Sequence, residues 1–158
     1  MKKYRLFFVF FLMFLAANTT AQNEKINWIS FEQLEDSLAI KPKKVFISFY
    51  ADWCTYCKKM DKVAFKDKEI IAILNSEYYA VKMNAETTKT IVFDGKKYTN
   101  QQLGKSRNPT HQIPLLLASR KNTPFSLPAN LILNKDFLIE KRSFEYLSPK
   151  KLLNFLRN

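Results

Sequence analysis

The sequence predicts an α/β fold with a mixed central sheet and helices on both of its faces. Helical and extended patterns alternate through the first half of the chain, and a pair of extended segments followed by a helix closes it. Of the 158 residues, 47% are hydrophobic and 25% are charged, as in a globular domain. Alternating elements of this kind pack in layers around one core.

The first elements can be assigned from local signals. Ser30 and Gln33 have the spacing of a capping box, and helical periodicity follows over 31–40 until Pro42 ends it. The segment 45–50, VFISFY, is β-branched and aromatic, which is typical of a buried strand. The next expected elements are an amphipathic helix that begins close to Cys54, a helix over 67–75, a strand over 78–83 and a hairpin over 90–99 that turns at Asp94-Gly95.

The second half of the chain predicts one more helix, a strand pair and a final helix. Ser148 is expected to cap that last helix, because a serine before Pro149 can satisfy free N–H groups of the first turn. The other expected elements are a helix that starts near Pro114 or one turn earlier, and strands over 127–133 and 137–144 with a turn at 134–136.

Residues 1–21 have the organisation of a secretory signal peptide. A short basic region precedes the uncharged run 6–17, and the small residues Thr19 and Ala21 stand at the −3 and −1 positions of a cleavage site. The run is shorter than the roughly 20 residues that span a bilayer, which favours a cleaved signal peptide. An uncleaved membrane anchor is the alternative. We therefore expect an exported, periplasmic protein with a single domain over 22–158.

Composition and charge exclude several classes of function. With 2 Gly in the chain, neither a G-x-G-x-x-G fingerprint nor a P-loop can be written. The formal net charge is +12, but the lysines are scattered and form no arginine-rich stripe of the kind that binds nucleic acid. We expect no nucleic-acid partner, whereas contact with an anionic partner or a membrane surface is compatible with this charge.

Both cysteines of the chain, Cys54 and Cys57, lie in the stretch WCTYC. This spacing fits a redox pair, half a zinc site, a haem attachment point or a structural disulfide. Zinc needs four ligands and the chain adds only His111, while haem attachment needs a histidine where Lys58 stands. We expect no metal and no cofactor. A single tight pair in an exported protein favours a redox pair over an inert disulfide.

A cysteine at the start of a helix is a good nucleophile. Free backbone N–H groups and the helix dipole stabilise its thiolate and lower its pKa. We therefore assign Cys54 as the nucleophile and expect its sulfur to face solvent. Cys57 would resolve the mixed disulfide and be the more buried thiol. Trp53 would shield the site, and Thr55 and Tyr56 would tune its reduction potential.

The stretch VFISFYADWCTYCKKM resembles the active-site strand, loop and helix of the thioredoxin superfamily. The following KKMDKVAFKDKEIIAILNSEYYAVKMNAE is similar to exported thioredoxin-like proteins with a W-C-x-x-C-K-x-M site, and the resemblance extends to PFSLPANLIL. It covers 25–158 and implies a thioredoxin-like fold in which Pro128 is cis and faces the dithiol. The backbone of Leu127 would then pair with an extended substrate peptide.

Two features depart from the resemblance. Ser48 stands where thioredoxin has a buried aspartate, so the carboxylate that would act as a base for Cys57 is missing, although Lys82 matches the lysine that often neighbours that acid. Residues 87–123, which hold the expected hairpin and helix, are predicted to be an insertion before the cis-proline strand. This insertion is the expected place of partner choice, with added core and lid as the alternative.

The resemblance implies an exported thiol–disulfide oxidoreductase that acts on protein or peptide disulfides. It favours a reductase that receives electrons from a membrane partner, and oxidase or isomerase activity is the alternative within this class. A different class is also open, namely a binding or chaperone-like module whose Cys54–Cys57 disulfide is static or serves as a sensor.

Overall fold

The structure, a computed structural model, describes residues 25–157. The signal peptide expected over 1–21 lies outside these residues. Among the residues that are described, no helix is both long enough and apolar enough to cross a bilayer.

Five strands form the central sheet, and a separate hairpin stands apart from it. In chain order the strands of residues 25–157 are β1 (Trp28–Ile29), β2 (Lys44–Tyr50), β3 (Tyr78–Asn84), β4 (Ile91–Phe93), β5 (Lys96–Tyr98), β6 (Ala129–Leu133) and β7 (Ile139–Ser143). The sheet order is β1-β3-β2-β6-β7, and β4 pairs with β5. The β1–β3 and β2–β3 pairs are parallel and the other pairs are antiparallel. The predicted mixed sheet and hairpin are confirmed.

Helices cover both faces of this sheet. They are α1 (Phe31–Ile40), α2 (Thr55–Lys62), a 3-10 turn (Ala64–Lys66), α3 (Lys68–Glu77), α4 (Gln112–Ala118) and α5 (Pro149–Arg157). On one face, α2, α3 and α5 pack in a hydrophobic cluster with Phe46 and Ile132 of the sheet. On the other face, α1 and α4 pack with Ile47 and Leu131. Successive residues of β2 and β6 therefore point into opposite cores.

Some boundaries differ from the sequence-based expectation for local reasons. The strand expected over 127–133 starts two residues later, at the residue after Pro128, because a proline has no N–H to give to a sheet ladder. The strand expected over 137–144 also starts later, since the side chain of Asn134 accepts N–H bonds from two residues beyond it and extends the turn. The two-residue strand β1 was not predicted, because it is too short to show a period.

The antiparallel pairing of β2 with β6 positions the candidate site. Phe49 lies opposite Ala129 in this pairing, so the end of β2 meets the start of β6. The loop that follows β2 carries Cys54, and the peptide bond that precedes Pro128 is cis. The fold thus brings the cysteine loop and the predicted cis-proline to the same end of the neighbouring strands β2 and β6.

Residues 87–123, referred to below as the 87–123 segment, contain the hairpin and α4. The fully buried His111 connects their parts. Its backbone N donates to the carbonyl of Ala85 at 2.7 Å, its Nδ1 accepts from the backbone N of Ile113 at 3.2 Å, and its Nε2 lies 3.1 Å from the carbonyl oxygen of Tyr98. Burial lowers the pKa of His111 below its ordinary value, because the interior penalises the charged form. His111 therefore links the hairpin and α4 to each other and to Ala85, which follows β3.

Candidate redox site

Cys54 and Cys57 form a disulfide with an S–S distance of 2.07 Å at the start of α2. Cys54 is the N-cap of this helix, and its Sγ lies 3.2 Å from the backbone N of Cys57. A sulfur at this position is close to the free N–H groups and the positive end of the helix dipole. After reduction, both features stabilise a thiolate on Cys54. The predicted helix start at the cysteine pair is confirmed.

The exposure of the two cysteines differs from the prediction. Cys54 is 3% exposed and Cys57 is 5% exposed, so the expectation that Cys54 faces solvent and that Cys57 is the more buried is wrong. Ala51 packs with both cysteines, and the side chains of Tyr50 and Leu127 lie against the same cluster. The bond to Cys57 and the capping contact also turn the sulfur of Cys54 toward the helix. The closed disulfide is therefore covered by neighbouring side chains.

Leu127 lies beside the disulfide and is joined by a cis peptide bond to Pro128, whereas the prediction that Pro128 faces the dithiol stays a prediction. The Leu127–Pro128 peptide bond is cis, Pro128 is buried, and the side chain of Leu127 contacts the cysteine cluster. Within residues 25–157, the backbone N–H and C=O of Leu127 have no hydrogen-bond partner. These groups can therefore pair with an incoming extended chain, as in strand addition.

Three exposed side chains surround the covered disulfide. Trp53 is 55% exposed, and its Nε1–H donates to Oε1 of Glu86 at 2.8 Å. Tyr56 is 59% exposed, with its ring centroid 6.1 Å from that of Tyr146. Thr55, between them in sequence, is also exposed. These exposed side chains are the sequence neighbours of the two buried cysteines, and their contact with a substrate stays a prediction.

The buried position on β2 where thioredoxin has an aspartate is occupied by Ser48, so β2 supplies no carboxylate there. Ser48 is 3% exposed, and its neighbour in register on β3 is Lys82. Lys82 forms an ion pair with Asp61, which lies on α2 one turn after Cys57. The carboxylate that pairs with the lysine therefore comes from the helix of the dithiol and not from the strand beneath it.

The negative charge of Asp61 acts on Tyr50, a residue that packs beside the disulfide. The Nζ of Lys82 lies 4.8 Å from the ring centroid of Tyr50, which packs against the cysteines. Burial raises the pKa of Tyr50 above its ordinary value, and the nearby charges of Asp52 and Asp61 raise it further. Sequence reasoning did not find Asp61, although its spacing of four residues from Cys57 on a helix was the available signal.

A cavity of about 410 Å³ opens next to the disulfide. Trp53, Glu86 and Leu127 line its near side, and residues of the 87–123 segment line its far side. The segment contributes mainly amide and hydroxyl side chains together with the guanidinium of Arg120. Neither Glu86 nor Arg120 was predicted to belong to the site, because only the folded chain brings them next to the cysteine loop.

The sequence over 31–126 matches the family described as thioredoxin-like domain. The chain belongs to the thioredoxin-like family. The superfamily and the fold inferred from the active-site stretch are thereby confirmed, and the chain carries the Cys-x-x-Cys pair of that resemblance as a disulfide. The separate roles of Cys54 and Cys57 and the limits of the insertion stay predictions.

Individual relatives share parts of this chain. A thiol:disulfide interchange protein DsbD from Vibrio vulnificus is 30% identical over 96 residues, which cover 57% of this chain and 16% of that protein. The chain therefore spans less than a fifth of the curated relative. The solved structure of DsbH oxidoreductase superposes with a TM-score of 0.58 at 15% identity, covering 90% of each chain. A putative disulphide-isomerase from Bacteroides thetaiotaomicron gives a TM-score of 0.57 at 20% identity, covering 87% of this chain and 94% of that one. These two structures show the shared fold.

Proposed function

We propose that this protein is an exported, periplasmic thiol–disulfide oxidoreductase that reduces disulfides of protein or peptide substrates. The observation that carries the proposal is the Cys54–Cys57 disulfide at a helix N-terminus, beside the free backbone of Leu127. The family of the chain and the name of its Vibrio relative, a thiol:disulfide interchange protein, support the same chemistry.

The reaction uses the two cysteines in sequence. In the reduced protein, the thiolate of Cys54 attacks one sulfur of the substrate disulfide, and the other substrate sulfur leaves as a thiolate that takes up a proton. The thiolate of Cys57 then attacks Sγ of Cys54, which releases the second substrate thiol and closes the Cys54–Cys57 disulfide. Two electrons have passed to the substrate. An external dithiol donor, which we propose to be a membrane protein, returns the pair to the reduced state.

Substrate recognition at the reacting sulfur uses mainly the main chain. An extended peptide pairs with the backbone of Leu127 and lies across Trp53, Thr55 and Tyr56, which border the disulfide. Main-chain pairing of this kind accepts many sequences. Reduction breaks the bond that turns the sulfur of Cys54 toward the helix, so this sulfur can then turn toward a bound substrate.

The low exposure of both cysteines also favours one alternative. A disulfide covered by Tyr50 and Leu127 could be a static or sensing bridge in a binding or chaperone-like module. Such a bridge would resist dithiothreitol, and its protein would not accelerate the reduction of another disulfide. The two functions therefore differ in a single assay.

The decisive assay is the reduction of insulin disulfides with dithiothreitol as the electron source. We expect the wild-type protein to accelerate the reaction and Cys54→Ser to fall to the rate of dithiothreitol alone. Undiminished activity in Cys54→Ser would overturn the proposal. Ser37→Ala, a change on α1 outside the site, serves as the control for the effect of substitution itself.

The direction of electron flow follows from the reduction potential of the pair. Equilibration in glutathione buffers should give a potential close to that of thioredoxin, about −270 mV, if the protein is a reductase. A much less negative potential would instead favour the oxidase or isomerase direction.

A further inference from the structure

The cavity beside the disulfide contains a guanidinium that is held in place but has no acidic partner. Arg120 lies with its Cζ 4.0 Å from the ring centroid of Phe144, and its Nη2 donates to Oγ of Ser126 at 2.8 Å. Its backbone is fixed by a bridge to Thr123. Over residues 25–157, no carboxylate forms an ion pair with Arg120.

This arrangement is suited to binding a carboxylate. A guanidinium has five N–H donors, and the contact with Ser126 uses Nη2, so further donors can form the paired hydrogen bonds that carboxylates accept. Stacking on Phe144 fixes the plane of these donors in advance, so less side-chain entropy is lost when a carboxylate binds. The simpler explanation is that Arg120 only covers the ring of Phe144, and the experiment below separates the two.

The position of Arg120 relates it to the substrate. Ser126, its hydrogen-bond partner, directly precedes Leu127, and both Phe125 and Leu127 line the same cavity as Arg120. A peptide that pairs with the backbone of Leu127 continues past this wall. The carboxylate that Arg120 can reach therefore belongs to a residue that flanks the substrate cysteine.

The surrounding charge favours the same ligand. The 87–123 segment contains seven lysines and arginines and a single aspartate, and Arg120 is the charged residue that it contributes to the lining of the cavity. Glu86 is the acidic residue among those that line the cavity, and its Oε1 accepts the indole N–H of Trp53 on the near side. An anionic substrate is therefore attracted to this basic part of the chain, whereas a cationic substrate is repelled by it.

We propose that Arg120 binds a carboxylate of the substrate polypeptide, so that the protein acts preferentially on disulfides flanked by aspartate or glutamate. This inference rests on the proposed reductase function and assigns its substrate class. In this proposal, two parts of the site have different roles. The backbone of Leu127 aligns the substrate near Cys54, and Arg120 selects the flanking residue.

The test compares the reduction of three disulfide peptides that differ only in a flanking residue, which is aspartate, asparagine or lysine. For the wild type we expect kcat/KM to be about tenfold higher for aspartate than for asparagine, as for a charge-assisted contact in a partly buried site, and lowest for lysine. Arg120→Glu should reverse the order and favour lysine. Arg120→Met, which can still pack on Phe144, should make aspartate and asparagine equal.

Matched controls separate a local contact from a general effect of charge. Lys97→Glu changes the net charge as Arg120→Glu does, at an exposed residue of the same segment that does not line the cavity. It should keep the preference for aspartate. Equal rates for aspartate and asparagine in the wild type would overturn the proposal, and so would the same loss of preference in Lys97→Glu and Arg120→Glu. The comparison of the three peptides on the wild-type protein tests the preference for aspartate even if Arg120→Glu does not fold.

A small uncharged substrate keeps this proposal distinct from the proposed function. The control Lys97→Glu should reduce 2-hydroxyethyl disulfide as the wild type does, since Lys97 does not line the cavity. A wild-type protein that reduces neither this compound nor any peptide would overturn the reductase function instead. The carboxylate site would then be tested by fluorescence anisotropy with the same three peptides, where equal binding would overturn it.

Discussion

On the near side of the cavity lie the loop after β2 and Leu127, which present backbone groups and the sulfur of Cys54 that caps α2. On the far side lies the 87–123 segment, which presents amide, hydroxyl and guanidinium side chains. Backbone groups recognise any extended chain, whereas oriented side chains discriminate between chains. If the proposed function holds, the chemistry and the choice of substrate reside in different parts of the chain and can be altered separately.

The two regions also differ in the contacts that fix them in the fold. The cysteine loop is fixed by β2, α2 and the start of β6, which all belong to the central layers of the fold. Within the 87–123 segment, the fully buried His111 bonds to both the hairpin and the start of α4. A substitution at His111 should therefore affect substrate choice and stability and leave the dithiol chemistry intact.

The largest expected effect comes from His111→Ala. It removes the N-cap of α4 and leaves the carbonyl of Tyr98 without its buried partner, so the free energy of unfolding should fall by about 2–3 kcal/mol. Urea denaturation measures the loss. His111→Asn, which can still cap the helix, should recover part of it. Loss of 2-hydroxyethyl disulfide reduction in folded His111→Ala would contradict the separation of the two regions.

A smaller effect, confined to the chemistry, is expected from Asp61→Asn. The change removes a carboxylate one turn after Cys57 and frees the charge of Lys82, and both consequences favour a thiolate at the reduced pair. The thiol pKa that governs alkylation by iodoacetamide should fall by about one unit. Glu145→Gln, which breaks the ion pair with Lys151 on another surface, should leave that pKa unchanged.

The peptide preference is the second readout for Asp61→Asn. The ratio of rates for aspartate and asparagine peptides should stay as in the wild type, since Asp61 does not line the cavity. An unchanged alkylation profile would show that Asp61 has no influence on the dithiol. A changed peptide ratio would show that chemistry and substrate choice are coupled.

The smallest effect is a dependence of stability on pH. The pKa of His111 is lowered in the folded protein, so the unfolded chain binds a proton more readily, starting near its ordinary value of about 6.5. The stability from neutral His111 is complete above that pH and declines as the pH falls from there to the folded-state pKa. His111→Asn lacks this slope, because His111 is the one histidine of the chain. Parallel urea curves for both proteins between pH 5 and 7.5 would contradict the account.

The features that the sequence predicted correctly depend on neighbours along the chain. The cap at Ser30, the strand over 45–50 and the helix start at Cys54 all follow from residues within one or two turns of each other. The cis bond before Pro128 came from the resemblance and not from local composition. These elements were sufficient to predict the sheet, both helical layers and the cysteine site.

The features that the sequence did not predict depend on distant residues. Part of the burial of the cysteine pair comes from Leu127, 73 positions after Cys54, and no periodic pattern reports such a contact. The ion pair of Lys82 with Asp61 joins β3 to α2, and the stacking of Arg120 on Phe144 joins the 87–123 segment to the residue after β7. Each is a product of the fold, so it could be found only once the elements were assembled.

We propose that Cys54 attacks and Cys57 resolves, although Cys54 is the slightly less exposed of the two in the closed disulfide. Each single variant, reduced and mixed with a disulfide peptide, can be examined for mixed disulfides by mass spectrometry. The account predicts that Cys57→Ser accumulates the peptide on Cys54 and that Cys54→Ser accumulates none. Accumulation on Cys57 in Cys54→Ser, with none on Cys54 in Cys57→Ser, would contradict it.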